Sequence, residues 1–493
     1  MTMQKIRRVA VLGGGITGLS AAFYLGKLAR ERGETIEVTV IEGSERLGGR
    51  INTLSRDGFV IERGPDSFLA RKLPMIELAR ELGLEGELTG TNPAAKKTYI
   101  ALNGKLHPMP EGMTLGVPTD ADMFMKTELV SEEGKQRAFE ELDIPPDWRE
   151  GDESVGAFLE RRMGREMVER IYEPLLAGIH AGDLYRLGLQ ATFPQFKAMV
   201  RAHGSLIKGT RDSQRIAKAK AEAQANAAVS SGKTDNPLPA SVFMTFRNGL
   251  SSVIEALESH LRADGCHIRM GAQVEYLERT FEEMPESKGA YRLHLSDDTA
   301  IESDEVIFTL PAYATAELLA EHTDVTALTN VRYVSVANVV LAYDETGFNH
   351  TLDGSGFLVP QGEHRHITAS TWTSSKWLHT APQGKRMIRC YVGNAKDEKG
   401  VELSDAVLAG VVQRDLYDLM GLTAIPEFVE ITRLRHSMPQ YPVGHVEATA
   451  SFREELSKRL PGVLVTGAAF EGVGLPDCVA KGKQAAEAVL AKA

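Results

Sequence analysis

The run from Arg8 to Ala22, Arg-Val-Ala-Val-Leu-Gly-Gly-Gly-Ile-Thr-Gly-Leu-Ser-Ala-Ala, constrains the fold more than any other stretch of this chain. Val9 to Leu12 are apolar and read as a buried parallel strand. Gly13, Gly15 and Gly18 supply G-x-G-x-x-G, with Gly14, Ile16 and Thr17 between them, and Leu19, Ala21, Ala22 and Leu25 follow at helical spacing. Gly13 lets the strand turn sharply, Gly15 lets a pyrophosphate approach the backbone, and Gly18 lets the helix pack on the strand. The helix start offers free N–H groups and the positive end of its dipole to phosphate. A second strand, Ile36 to Ile41, ends in Glu42. An acid at this spacing suits the ribose hydroxyls of an adenine dinucleotide and repels the 2′-phosphate of NADP. A plain strand–helix turn is the bland alternative. Strand, turn, helix, strand and acid in that order favour a dinucleotide site.

A length of 493 residues suggests two or three domains. Hydrophobic residues make up 43% and charged residues 25%, a globular composition that excludes disorder. The formal net charge of −11 argues against a nucleic-acid partner, which needs a basic surface. Cys266, Cys390 and Cys478 lie far apart and form neither C-x-x-C nor zinc spacing, so no metal is expected. They fit a reducing compartment. The first strand begins too early to leave room for a signal peptide, and no apolar run reaches the roughly 18 residues of a membrane span. The expected location is cytoplasmic.

Directly after Glu42 and Gly43 comes Ser44-Glu-Arg-Leu-Gly-Gly-Arg50. Gly49 permits close backbone approach, and Arg50 carries a planar fork of donors suited to phosphate. The glycine turn, the acid and the Leu-Gly-Gly-Arg together resemble the flavoprotein oxidase superfamily that includes amine oxidases and carotene desaturases. That resemblance implies FAD rather than NAD, with Arg50 beside the cofactor. A strand over 58–61 runs into the turn Gly64-Pro65-Asp66-Ser67, which in the superfamily passes the isoalloxazine ring. Arg71 follows, either a partner for a substrate carboxylate or a surface charge.

From Lys72 to about Pro239 the pattern is helical. Met75, Leu78, Ala79 and Leu82 mark one face closed by Gly83, Ser154 caps a second helix, and another runs from Arg165 into Pro174. Core packing suffices for most of their apolar residues; an exposed apolar face here would give peripheral membrane contact. Gly178 and Gly182 bracket Ile179-His180-Ala181, a bend able to bring backbone next to a flat ligand. His180 reads as a structural or surface histidine rather than a base. Gln214 to Ala228 reads as an exposed helix, and Ser230 to Pro237 as a loop at a domain boundary. Strands are then expected near 266–269, 272–277, 291–295 and 304–310, with Val274 touching the adenine through its backbone by the superfamily resemblance. Runs at 335–343, 357–359 and 387–392 suggest a mixed sheet, with Trp372, Trp377 and His379 as core or loop residues. Near the C-terminus, Val463 to Val465 form a strand, Gly467 turns it, and a helix is expected from Val479. The turn carries Phe470 and no tyrosine, against amine oxidation, and no cysteine suited to a covalent flavin link, so FAD is expected to be non-covalent.

Five motifs sharpen the resemblance: Gly64-Pro-Asp-Ser-Phe68, Pro174-Leu-Leu-Ala-Gly-Ile-His-Ala-Gly-Asp183, Thr192-Phe-Pro194, Met438-Pro-Gln-Tyr441 with Gly444-His445, and Gly472-Val-Gly-Leu-Pro-Asp-Cys478. Together they resemble the oxygen-dependent protoporphyrinogen and coproporphyrinogen oxidases of haem biosynthesis. One departure is Leu434, where relatives often carry tryptophan. The resemblance implies six-electron oxidation of a porphyrinogen in three two-electron steps, with molecular oxygen as acceptor and hydrogen peroxide as product. It implies FAD contacts from Gly13, Gly14, Gly15, Ile16, Thr17, Gly18, Glu42, Gly43, Gly49, Arg50, Gly64, Pro65, Asp66, Ser67, Val274, Gly467, Gly472, Val473 and Gly474. Arg71 is the candidate propionate partner, and Gly178 and Ile179 a pocket wall. No side chain is assigned as acid, base or nucleophile. Coproporphyrinogen III is favoured over protoporphyrinogen IX, and product hand-off to a ferrochelatase is implied. A flavin amine oxidase and a non-catalytic porphyrin carrier are the rivals; monomer and homodimer are both open.

The fold class expected is α/β, α+β overall: a Rossmann-like FAD-binding domain with a mixed-sheet substrate domain and a helical insertion. The expected segments are 1–72, 240–318 and 440–493 for the FAD-binding domain, 73–90 and 319–439 for the substrate domain, and 91–239 for the helical domain.

Overall fold

Val9 to Leu12 are almost wholly shielded from water because the strand they form, β1 (Arg7–Leu12), lies mid-sheet. On one side it pairs in parallel with β2 (Ile36–Glu42), which in turn pairs with β3 (His267–Met270). On the other side it pairs with β4 (Glu305–Phe308), which pairs with β5 (Val463–Val465). The order β3-β2-β1-β4-β5 is parallel throughout, and Val11 sits between Val40 and Ile307. Strands covered on both faces demand such unbroken apolar runs. Four helices serve this sheet: α1 (Ile16–Arg32), α2 (Ser251–Ala263), α3 (His445–Arg459) and α4 (Leu475–Leu490). A Cβ on Gly482 of α4 would stand 2.5 Å from the Thr17 carbonyl oxygen, so α4 meets α1 backbone to backbone. A small antiparallel sheet, Val274–Arg279, Tyr291–Leu295 and Ala300–Ser303, precedes β4.

The computed structural model describes residues 6–146, 149–231, 241–280 and 290–491. Its chain divides into two units, one of Met1–Thr89, Ser241–Arg332 and His445–Ala493, the other of Gly90–Ala240 and Tyr333–Gly444. The sheet just described belongs to the first, and the fold is α/β. The second unit holds a seven-stranded sheet ordered Phe428–Gln440, Arg332–Asp344, Lys385–Val392, Ile367–Thr371, Gly354–Leu358, Lys97–Leu102, Lys105–Pro108. It is mixed: Gly354–Leu358 pairs in parallel with Lys97–Leu102 and antiparallel with Ile367–Thr371. Trp372 and Trp377 are buried in its core, Trp372 against Tyr99 and Phe357. The helices of this unit are tied by a fully buried pair, Glu141 and Arg162. Glu141 also accepts the N–H groups of Leu206 and Ile207 at 2.8 and 3.2 Å, which offsets the desolvation of the two charges.

Four local expectations are corrected. The stretch expected as one helix from Arg165 into Pro174 is a turn of α-helix, Arg165–Met167, then a π-helix, Val168–Ala177. Pro174 inside it has no N–H to give the ordinary ladder, and a widened register accommodates its ring. Gly178 is not a bend: at φ −57° it continues as helix Gly178–His180, and the chain turns at Ala181, φ +48°. The C-terminal helix begins at Leu475, before Val479, because Pro476 fits a first helical turn whose N–H needs no partner. Ser230 and Ser231 extend the helix Leu206–Ser231, and the rest of the expected loop lies outside the described residues. Among the described residues no helix is long and apolar enough to cross a membrane.

Candidate functional site

The chain leaves β1 through Gly13, at φ +107°, whose N–H donates to the Ile41 carbonyl at 2.8 Å. The Gly14 N–H donates to Glu42 Oε2 at 2.7 Å and the Ser44 N–H to Oε1 at 2.9 Å, so the acid closing β2 is locked against the glycine turn. The Gly48 N–H donates to the Gly14 carbonyl at 2.8 Å, and Gly15 and Gly48 bridge like paired strands. Gly49, at φ +57°, lies so close that a Cβ there would come within 3.3 Å of Gly15 Cα. A Cβ on Gly18 would fall 1.9 Å from the Gly13 carbonyl oxygen and 2.8 Å from Thr309 Oγ1, an impossible fit. Gly15 differs from all of these: a Cβ there would meet nothing within 4 Å. Its open side adjoins the start of α1, which has no side-chain cap and no acid in its first turn. Uncapped N–H groups beside an open glycine form a ready anion cradle.

Distant segments close on this turn. The Gly271 N–H donates to the Ser44 carbonyl at 2.9 Å and the Ala272 N–H to the Glu42 carbonyl at 3.3 Å, bringing Gln273 against Gly43 and the buried Val274 to the acid end of β2. Gly64 lies against Arg50, since a Cβ on it would sit 1.8 Å from the Arg50 carbonyl oxygen; the Pro65–Ser67 turn follows, with Ser67 Oγ donating to Asp66 at 2.7 Å. Gly467, at φ +101°, faces the side chain of Thr17. Gly472 and Gly474 flank Val473 and pack on Asp477, which Lys72 clasps at 2.6 and 2.8 Å. The three candidate substrate residues divide between the two units, Arg71 falling in the first. Arg71 is exposed and makes no hydrogen bond or ion pair among the described residues. Gly178 and Ile179 belong to the second unit, and both are exposed, Ile179 by 48%.

His180 is buried edge-on to Phe193 and Tyr441 at 6.0 and 6.1 Å, and burial lowers its pKa to about 4. A neutral imidazole wedged between rings has a packing role. Nearby in sequence, burial raises the Glu173 carboxyl to about 7, against the opposing pull of the Gln361 N–H at 3.2 Å and of Lys396.

The cradle suits a diphosphate, and Glu42 at its edge suits a ribose diol. A family profile, Flavin containing amine oxidoreductase, matches residues 16–490. The chain belongs to the flavin-containing amine oxidoreductase family. Its cofactor is FAD, and the open glycine, uncapped helix and ribose acid fit that group. The chain is 40% identical to the coproporphyrinogen III oxidase of Bacillus subtilis (strain 168), over 97% of each chain. It is 39% identical to the coproporphyrinogen III oxidase of Staphylococcus aureus (strain NCTC 8325 / PS 47), over 99% of each. A crystal structure from Exiguobacterium sp. 255-15, of a candidate protoporphyrinogen oxidase, is 34% identical and superimposes with a TM-score of 0.84 over 99% of each chain.

Sequence reading missed several residues of this assembly. Gly48 stands in the Gly-Gly doublet, but its pairing with Gly14, more than 30 residues away, carries no local signal. Thr309, whose Oγ1 donates to the Leu12 carbonyl at 2.8 Å, carries no local signal, since its partner lies almost 300 residues away.

Proposed function

We propose that this chain is an FAD-dependent oxidase that converts coproporphyrinogen III to coproporphyrin III in haem biosynthesis. The observation that carries this reading is the full-length 40% identity to a coproporphyrinogen III oxidase, in a chain whose glycine cradle is intact. The cofactor is held by the backbone of Gly13 to Gly18, by Glu42, Gly43, Gly49 and Arg50, by the Gly64–Ser67 turn, by Val274, and by Gly467 with Gly472 to Gly474. The turn from Val465 to Gly474 carries no cysteine for a covalent link, so it is held non-covalently. Bound FAD supplies the redox chemistry: hydride acceptance in three two-electron steps, with molecular oxygen taking the electrons to give hydrogen peroxide. The protein's part is orientation and exclusion of side reactions. Arg71, with a free guanidinium, binds a propionate, and Gly178 with Ile179 offers an apolar surface to the macrocycle. The product then passes to a ferrochelatase.

Protoporphyrinogen IX is the second candidate substrate, supported by the Exiguobacterium structure. It carries two propionates where coproporphyrinogen carries four, so a guanidinium set for carboxylates favours the latter. Anaerobic addition of coproporphyrinogen III to the purified protein should bleach the flavin absorbance, and air should restore it with peroxide release. A colourless protein that stays so after incubation with FAD, or a flavin that does not bleach, refutes the proposal. Faster turnover of protoporphyrinogen at equal concentration reverses the choice of substrate.

A further inference from the structure

The turn from Val465 to Gly474 joins β5 to α4 and borders the start of α1 through Gly467 and Thr17. Glycines with positive φ at 467 and 472 make such a segment pliable in itself. One face of α3 holds it. His445 is buried, and its Nε2–H donates to the Phe470 carbonyl at 2.9 Å; a carbonyl only accepts, which fixes the proton on Nε2. Thr449 Oγ1 lies 3.5 Å from the same nitrogen. Arg453 donates to Glu471 at 2.5 Å and to the Val465 carbonyl at 3.2 Å, and its guanidinium lies 5.6 Å from the centre of the Phe470 ring. Lys481 of α4 pairs with the same Glu471. His445, Thr449 and Arg453 are spaced four apart, so they form one stripe along the helix.

We infer that this stripe is a positioning device: His445 and Arg453 fix the glycine turn and the N-terminal end of α4 against bound FAD, and thereby set the reduction potential of the flavin. The inference rests on the FAD site described above. The end of α4 has no side-chain cap, and its first-turn acid, Asp477, is paired with Lys72, so that end favours the added negative charge of reduced flavin. A turn released from α3 presents that end less firmly, so the reduced form loses more stabilisation than the oxidised form.

The test compares His445→Ala, His445→Gln and Arg453→Gln with the wild-type protein. His445→Ala should bind FAD at least tenfold more weakly. Its midpoint potential should fall by about 30 mV, the equivalent of a tenfold change for a two-electron couple. Amide exchange over residues 467–474 should quicken in the FAD-free protein. His445→Gln, which keeps an N–H near the position of Nε2, should recover most of both effects. Arg453→Gln, which leaves the buried histidine in place, should shift potential and exchange in the same direction by a smaller amount. Folded variants with wild-type potential and wild-type exchange overturn the inference while leaving the FAD site standing. A wild-type protein that takes up no FAD overturns both.

Discussion

At the scale of single residues, the site is built from atoms that are missing. Gly18 has no Cβ because the Gly13 carbonyl occupies its place, whereas a Cβ on Gly15 would stand in open space, which the proposed function gives to a phosphate group. The two positions therefore predict different phenotypes. Gly18→Ala overpacks a strand–helix junction, at about 1–3 kcal/mol of stability; it should lower the melting temperature of the FAD-free protein as well as weaken FAD binding. Gly15→Ala adds a methyl to open space, so it should weaken FAD binding while leaving the FAD-free melt close to wild type. Paired melts with and without FAD check both. Arg71→Ala removes a charge that holds nothing else among the described residues. It should raise KM for coproporphyrinogen roughly tenfold, the value of one charge-assisted hydrogen bond, and leave the flavin spectrum unchanged. Glycine demands of this kind were legible in the sequence because they arise within a few residues of the motif. Thr309 and His445 were not, since a threonine or histidine acquires its partner only when segments far apart in the chain meet.

Among the elements, the stretch from Val168 to Ala181 departs most from its sequence reading. Its apolar spacing and its proline announced a helix with an irregularity. They did not specify a π register, which depends on how the ring of Pro174 is accommodated in the turn before it. Two titrating groups on this stretch act in opposite senses. His180 is lowered to about 4 by burial, so the unfolded chain binds its proton first, and stability is lost as pH falls from 6.5 towards 4. Glu173 is raised from 4.5 to about 7 by burial, so the unfolded chain releases its proton first, and stability is lost as pH rises from 4.5 towards 7. Each is worth about 3 kcal/mol at most on the usual conversion. In the wild-type protein the two slopes offset between pH 4.5 and 6.5. His180→Phe, which keeps a ring between Phe193 and Tyr441, should expose the Glu173 slope, with stability falling as pH rises. Glu173→Gln should expose the His180 slope, with stability falling as pH drops. Urea titrations at pH 4.5, 5.5 and 6.5 measure both; parallel pH profiles for wild type and variants would contradict the assignment.

Over the whole molecule, the parallel sheet draws its five strands from three separate stretches of chain, with β1 and β2 near one end, β3 and β4 in the middle and β5 close to the other. The apolar strands and the glycine turn announced the dinucleotide fold, and the central and C-terminal motifs announced the substrate class. Strand order and the meeting of Thr17 with Gly467 needed the folded chain. In the proposed site FAD joins all three stretches, so it should stabilise the native state by mass action: at a hundredfold excess over its dissociation constant the gain is about 2.7 kcal/mol. Melting temperature should therefore climb with FAD concentration in the stripped protein, and a flat response would show that the stretches assemble without help from the cofactor. The same topology bears on biosynthesis. The ribosome releases Gly13 some 450 residues before β5, roughly half a minute to a minute and a half earlier at usual elongation rates. Once β4 has been made, the nascent chain exposes the apolar edge that β5 will cover for the further roughly 155 residues that separate them, and the proposed flavin site stays incomplete until β5 and the turn to Gly474 have followed.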